Sequence, residues 1–339
     1  MAIHYASVKP ITTTPSIKDN LWLMGSVFTM VSLLLTFTKL KAPHPMLLAD
    51  RFLPGSGWIE ILAVACYGAF IAHQLSNDKK IALWRNRLWT LFSVVFFTQL
   101  VLGLTLNNQF LMTGKLHLPI PAIIIAGPIY RWQFSVMTIL FLSTILLSGS
   151  AWCSHYCYFG ALDGIASRGK TSKKTFQNFK YFKYTFLPLL VVGAFLFRWF
   201  NISWEIAVAV GATIGVLGIA SMLYFSRREG KMFHCTVFCP LGTLTHLIGK
   251  INPFRVVIAS SCTSCMVCKT SCKYDALNGE NILAKKPGIT CTLCGDCLAS
   301  CHNQSLRYKF LNLSPKNARR LFIFMAVSLH ACSLALARI

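Results

Sequence analysis

Acidic side chains are scarce in this chain. Ten Asp and Glu stand against 33 Lys and Arg, and charged residues together fill only 13% of 339 positions. Soluble domains carry about 25% charged residues, so composition argues against a freely soluble globular protein. A haem-attachment C-x-x-C-H is missing too, because Cys297-Leu-Ala-Ser-Cys301-His302 holds one residue too many. No G-x-G-x-x-G fingerprint follows a candidate strand, which leaves a bound nicotinamide or flavin unsupported. The net charge of +23 raises nucleic acid as a partner. No basic stripe lies on a recognisable nucleic-acid module, however, and no nucleic acid is expected. The N-terminus lacks the ordered basic, apolar and small-residue regions of a cleavable signal peptide, so none is expected. Apolar sequence is what the chain has in abundance: 55% hydrophobic residues and a mean hydropathy of +0.56 point to a bilayer.

Seven apolar runs are long enough to cross one. They are Leu21–Thr38, Trp58–Leu75, Leu88–Asn107, Trp132–Ala151, Tyr184–Phe200, Trp204–Phe225 and Leu321–Ala337. Glu60, Glu205 and Asp163 all fall near run ends, which ranks a transporter with a buried ionisable path low. Placing the N-terminal tail, residues 76–87, 152–183 and 226–320 on one side gathers 26 of the 33 Lys and Arg there. By the positive-inside rule that side is the cytoplasm, and the C-terminus lies outside. Between the third and fourth runs, Leu116–Tyr130 is apolar but too short to span, and Pro119, Pro121 and Pro128 disfavour a regular helix. It reads as a segment in the outer interface or dipping back into the bundle, either a packed cap or the wall of a quinone pocket with His117 as proton acceptor.

The stretch from Cys262 to Cys301 carries the chemistry. It reads C-T-S-C-M-V-C-K-T-S-C, then eighteen residues, then C-T-L-C-G-D-C-L-A-S-C, which is C-x2-C-x2-C-x3-C written twice. Three closely spaced cysteines on a tight loop grip three corners of a cubane, so the pattern implies two [4Fe–4S] clusters. Zinc would want two separated C-x2-C pairs and would leave the third cysteine of each run idle. The fourth cysteine normally crosses over. Cys262, Cys265, Cys268 and Cys301 therefore form one ligand set, and Cys291, Cys294, Cys297 and Cys272 the other. The region resembles the bacterial two-cluster ferredoxin, with Lys273 and His302 where proline usually follows the fourth cysteine. Lys273 and Lys269 would favour reduced clusters if they lie close.

Four more cysteines form a second pattern. Cys153-Ser-His-Tyr-Cys157-Tyr-Phe-Gly and Cys235-Thr-Val-Phe-Cys239-Pro-Leu-Gly stand in register, each after a span and before a basic stretch. Gly160 and Gly242, and Leu162 and Leu244, keep the same register. If helical, the i, i+4 spacing puts both thiols of a pair on one face. Two such faces meeting would offer four sulfurs to a further metal or Fe–S centre, and the plainer alternative is two inert buried pairs. His155 and His234 beside the pairs are candidate ligands or proton carriers. Cys66 and Cys332 stand alone in apolar runs as small hydrophobes.

From Leu88 to Arg320 this order of features resembles the membrane ferredoxin proteins of the NapH/MauN kind and the polyferredoxin half of NosR-type proteins. The resemblance rests on the span-terminal C-x3-C-P of Cys235–Pro240 followed by paired four-cysteine runs; Tyr158 stands where the first pair would have its proline. It implies electron transfer between the quinone pool and a partner redox protein in the bacterial inner membrane. Related proteins also serve in maturation, metal reduction or redox sensing for respiratory enzymes, which is the alternative function. The expected fold is an α-helical membrane bundle of about seven spans with a small α+β two-cluster ferredoxin domain. Its expected divisions are a cytoplasmic tail over 1–20, the bundle over 21–250, the ferredoxin domain over 251–318 and a last span over 319–339.

The charge asymmetry sets a topology test. A reporter fused after Lys316 should read as cytoplasmic and one fused after Ile339 as periplasmic. The same location for both fusions would remove the seventh span.

Overall fold

The computed structural model describes residues 17–111, 119–133, 136–170, 175–176 and 179–336. His117 and most of the N-terminal tail lie outside them. Among the described residues seven helices are long and apolar enough to cross a membrane: Asn20–Lys41, Gly57–Leu75, Ile81–Thr105, Thr138–Ala166, Tyr181–Trp199, Trp204–Glu229 and Pro315–Leu336, the first to seventh spans. The protein is thus a multi-pass helical membrane protein. The one sheet among the described residues has two antiparallel strands, β1 (Phe254–Ile258) and β2 (Leu306–Phe310).

The spans bury small residues against one another and turn large apolar ones outward. Val27, Val31 and Leu35 of the first span, Ala65 and Ala72 of the second and Ala331 of the seventh form one tight seam. Outward, Trp22, Leu33 and Leu62 are exposed, as hydrocarbon permits and water would not.

The third span starts at Ile81, seven residues before the apolar run does, because Arg85 there finds a buried carboxylate. The fourth span runs on to Ala166, through a tight turn at Gly149–Ala151 and a break at Tyr156–Cys157. Asp163, three residues from the end of this span, is fully buried at 0% exposure.

The proline-bearing segment is also corrected. Pro121–Arg131 is a regular helix. Pro121 occupies its first turn, where the missing N–H has no intrahelical role, and only Pro128 lies inside. The helix dips into the bundle against the fifth and sixth spans. Two sixth-span glycines permit the approach: a Cβ on Gly211 would stand 2.5 Å from Ile123 and one on Gly215 3.0 Å from Ile120. Tyr130 donates to the Ile202 carbonyl (2.7 Å).

The strands bracket the eight-cysteine run, pairing Phe254 with Phe310 and Ile258 with Leu306. Tyr308 of β2 stacks on Phe322 of the seventh span at 4.6 Å. The ferredoxin-like region is therefore seated on the bundle, with side chains of the spans entering its loops.

The glycine contact yields a prediction. Gly211→Leu should overpack the sixth span against Ile123 and cost about 1–3 kcal/mol, read as a lowered melting temperature in detergent. Gly193→Leu on the fifth span, where a Cβ meets nothing within 4 Å, should be neutral. Equal losses in both would refute the close approach.

Candidate iron–sulfur site

The two four-cysteine runs fold alike. In the first, Ser264 and Met266 adopt left-handed backbone (φ 56° and 63°); in the second, Leu293 and Gly295 do (φ 54° and 80°). Each pair falls two and four residues after the first cysteine of its run. Asp275 and Gln304, each three residues after a fourth cysteine, repeat the conformation (φ 55° and 47°). For residues other than glycine such backbone costs about 1–3 kcal/mol and persists where its surroundings demand it. Here it curls each loop around a small cavity.

One cavity is lined by Cys262, Cys265, Cys268 and Cys301, the other by Cys272, Cys291, Cys294 and Cys297. Each cavity thus draws three cysteines from one run and the fourth from the other. The fourth thiols are held alike: the Cys272 sulfur accepts from the Ala276 N–H and the Cys301 sulfur from the Ser305 N–H, both at 3.3 Å.

Burial pushes these thiols up: Cys268 to about 11, helped by Cys301 and Cys262, and Cys272, Cys291 and Cys294 to about 12. Bare thiolates are unfavourable in such a site, and irons supply the positive charge that binding in exchange for protons requires. The donor set fits. Among the described residues no three His, Cys, Asp or Glu side chains converge closely enough for one ion. Zinc, with Zn–S about 2.3 Å, needs that tighter convergence, whereas a cubane spreads its ligands over separate corners. When bound, a [4Fe–4S] cluster stores and releases one electron.

The C-x3-C elements also share one local fold, though not the continuous helix face that i, i+4 spacing suggested. The chain breaks at the second cysteine of each. Cys157 (ψ 111°) caps the helix Tyr158–Ala166 and Cys239 (ψ 115°) caps Pro240–Ile248. Their sulfurs accept from the Gly160 and Gly242 N–H groups, both at 3.3 Å. Glycine is required there: a Cβ would lie 2.8 Å from the Cys153 carbonyl in one copy and 2.9 Å from that of Cys235 in the other. Tyr158, in place of proline, starts its helix as Pro240 does and stacks on Phe96 at 3.8 Å.

The copies touch reciprocally. Asp163, six residues after Cys157, accepts from the Cys235 N–H (2.9 Å), while Thr245, six after Cys239, bonds the Cys153 sulfur (2.9 Å). Burial holds the Cys235 thiol well above its usual range, with Asp163, Cys239, Cys157 and Cys153 adding to it. Cys239 is pushed up to about 12 by burial and Cys153, and Lys183 draws it down. The two elements thus pack against each other, with the Lys183 side chain buried beside them. Lys183 donates to His246 Nδ1 at 2.9 Å.

The histidines flanking the pairs are both buried. His155 Nδ1 contacts Ser154 Oγ (2.9 Å) and the Ala151 carbonyl (3.2 Å). The His234 ring is held neutral, its pKa lowered to about 3 by burial, and packs on Phe159 and Phe238. Lys273 turns from the cysteines to the carbonyls of Gly230 (2.8 Å), Lys170 (2.9 Å) and Ser167 (3.3 Å). It staples the loop after the first C-x3-C element to the turn before the second rather than polarising a cluster.

Several residues that sequence reasoning missed join the two patterns. Arg85 makes two bonds to Asp296, which lies between Cys294 and Cys297 (2.8 and 2.7 Å), and a third to the Ser154 carbonyl (3.1 Å). Ser150 donates to the Cys291 carbonyl (2.7 Å) and Ser154 to that of Thr292 (2.8 Å). Trp89 donates to the Cys157 carbonyl (2.8 Å). The signal for Arg85 was an arginine just ahead of an apolar run, in a chain with few acids to meet it.

Fold and thiol arrangement together define the class: a helical membrane protein of iron–sulfur, ferredoxin-like type. The family model of the 4Fe-4S binding domain (Fer4_5) matches residues 130–175 and 208–257. Each matched stretch holds one C-x3-C element, and the eight-cysteine run lies outside both. Curated proteins and solved structures gave no match.

The buried ion pair is open to test. Arg85→Met and Asp296→Asn should each cost about 3–5 kcal/mol, since either leaves a charge or its partner buried alone. The double variant should cost clearly less than the sum. Additive losses, measured by denaturation of the iron-loaded protein, would show that the two do not act as a pair.

Proposed function

We propose that the protein relays electrons one at a time between the membrane quinone pool and a partner redox protein, in the manner of the NapH/MauN and NosR-type proteins it resembles. Two [4Fe–4S] clusters would be held by the eight ferredoxin-type cysteines, and a further Fe–S or metal centre by Cys153, Cys157, Cys235 and Cys239. The observation that carries this reading is a set of direct bonds from the fourth span to the second cysteine quartet. Ser150 and Ser154, on either side of Cys153, hold the carbonyls of Cys291 and Thr292. Tyr274, two residues after Cys272, reaches the Cys153 carbonyl at 3.5 Å. In the first quartet Cys265 is exposed, which gives a soluble partner access.

In this reading the chain has three tasks: to hold sulfur in the order first quartet, second quartet, span-level quartet; to exclude water from the last two; and to offset thiolate charge with Arg85 and Lys183. The family match over both C-x3-C elements supports cluster binding at that level. The charge distribution favours the bacterial inner membrane, with the N-terminus and ferredoxin region in the cytoplasm and the C-terminus in the periplasm.

Anaerobically purified protein should carry about eight irons from the long run alone, and more if the span-level centre is an Fe–S cluster. Serine at Cys153, Cys157, Cys235 or Cys239 should each abolish quinol-dependent reduction while both ferredoxin cluster signals persist. A second such substitution should add little, because a shared centre is lost with its first ligand. Near-normal turnover in all four single variants would return these cysteines to packing. Four or fewer irons after reconstitution would remove the two-cluster reading. Intact clusters without any quinol turnover would favour the maturation or sensing role.

A further inference from the structure

We propose that the cleft where the first, second and seventh spans meet β2 binds the phosphodiester head group of an anionic membrane lipid. The cleft encloses about 260 Å³. Arg307, Lys316, Arg319 and Arg320 line it, and Asp78 is the one carboxylate among its described lining residues. Asp78 is already paired with Arg319. Arg319 also donates to the carbonyls of Leu75 (3.0 Å) and Ser76 (3.1 Å) at the end of the second span. Among the described lining residues basic side chains outnumber acidic ones four to one, and guanidinium groups match two phosphate oxygens at once.

Its position suits an amphiphile better than a soluble anion. The start of the first span (Asn20), the end of the second (Ser76) and the start of the seventh (Pro315) all border it, which is the level of lipid head groups. Leu23 and Ile323 close it on the bilayer side. Next to Ile323, Phe324 joins Trp22, Gly25, Met30 and Leu33 in an apolar groove along the first span, with Lys18 at its head. A Cβ on Gly25 would meet nothing within 4 Å, so the groove is open there for an acyl chain. Trp22, 81% exposed at the same end, is the residue type that anchors at this interface. Leu306 borders both this cleft and the cavity of the first cysteine quartet. A bound lipid would therefore lie one side chain away and fasten the ferredoxin region to the membrane surface. This site is independent of the electron-relay reading.

The full-length, iron-loaded protein is reconstituted into nanodiscs of phosphatidylcholine, alone or mixed with phosphatidylglycerol, and released for native mass spectrometry. A single retained phosphatidylglycerol and no retained phosphatidylcholine is expected. Retention should fall by roughly tenfold in Arg307→Gln/Lys316→Gln, as the charge-assisted contacts are lost, and return in Arg307→Lys/Lys316→Arg. Iron content reports folding of each variant, and should the neutral double variant lose iron, Arg320→Gln replaces it. Equal retention of both lipids, or unchanged retention in the neutral variant, overturns the proposal. Displacement of the lipid by millimolar inorganic phosphate would also overturn it, by assigning the cleft to a soluble anion.

Discussion

The join between the bundle and the cysteine-rich region hangs on one guanidinium. Arg85 is 3% exposed and meets Asp296 with two parallel bonds. A planar donor fork facing a carboxylate is the geometry in which a buried pair best offsets its desolvation. Its third bond, to the Ser154 carbonyl, places the same cation against the first C-x3-C element, and its guanidinium lies 5.1 Å from the Trp89 ring centroid. Trp89 in turn holds the Cys157 carbonyl. One helical turn of the third span thus fixes a loop of the second quartet and the Ser154 and Cys157 carbonyls of the fourth span. Lysine could not replace it, having a single point of charge where three directions are used.

Duplication appears at two levels, and at both it solves the same problem. A buried sulfur that must carry negative charge needs donors, and each copy supplies them from backbone N–H groups at fixed offsets. In the ferredoxin region the donor lies four residues after the cysteine, at Ala276 and Ser305. In the spans it lies three after, at Gly160 and Gly242, where the sulfur caps a helix. Helix N-termini favour thiolate in just this way. Backbone amides are also indifferent to side-chain identity, which is why lysine, histidine or tyrosine can stand where proline is usual without altering the fold of either pair.

Most of the architecture was legible in the sequence because its signals are local. Seven apolar runs and two spaced cysteine runs need no knowledge of what packs on what. What escaped was set by tertiary context. Arg85 looked like a positive-inside loop charge, since only Asp296, 211 residues on, makes it part of a helix. Asp163 and Thr245 occupy equivalent places in the two copies, yet one is an acid and the other a hydroxyl, so register alone did not mark them as partners. Prolines misled at Pro121–Arg131 because their effect depends on position: in the first turn proline favours a helix, and inside one its lost bond can be tolerated in a bundle.

The different forms of the two cysteine patterns follow from where each sits. A contiguous C-x2-C-x2-C loop must hold two left-handed residues and several backbone groups outside any helix, which is affordable in a region with β1 and β2 on its flanks and water nearby. At the level of the spans such a loop would leave N–H and C=O groups without partners in a medium that offers none. Splitting four sulfurs over two helix breaks leaves each break short and satisfied from its own ends. Cys157 N–H and Cys239 N–H find the carbonyls of Trp152 and His234, and the next helix begins at once. Asp163 and Thr245, reaching across to the first cysteine of the other copy, hold the two breaks in register.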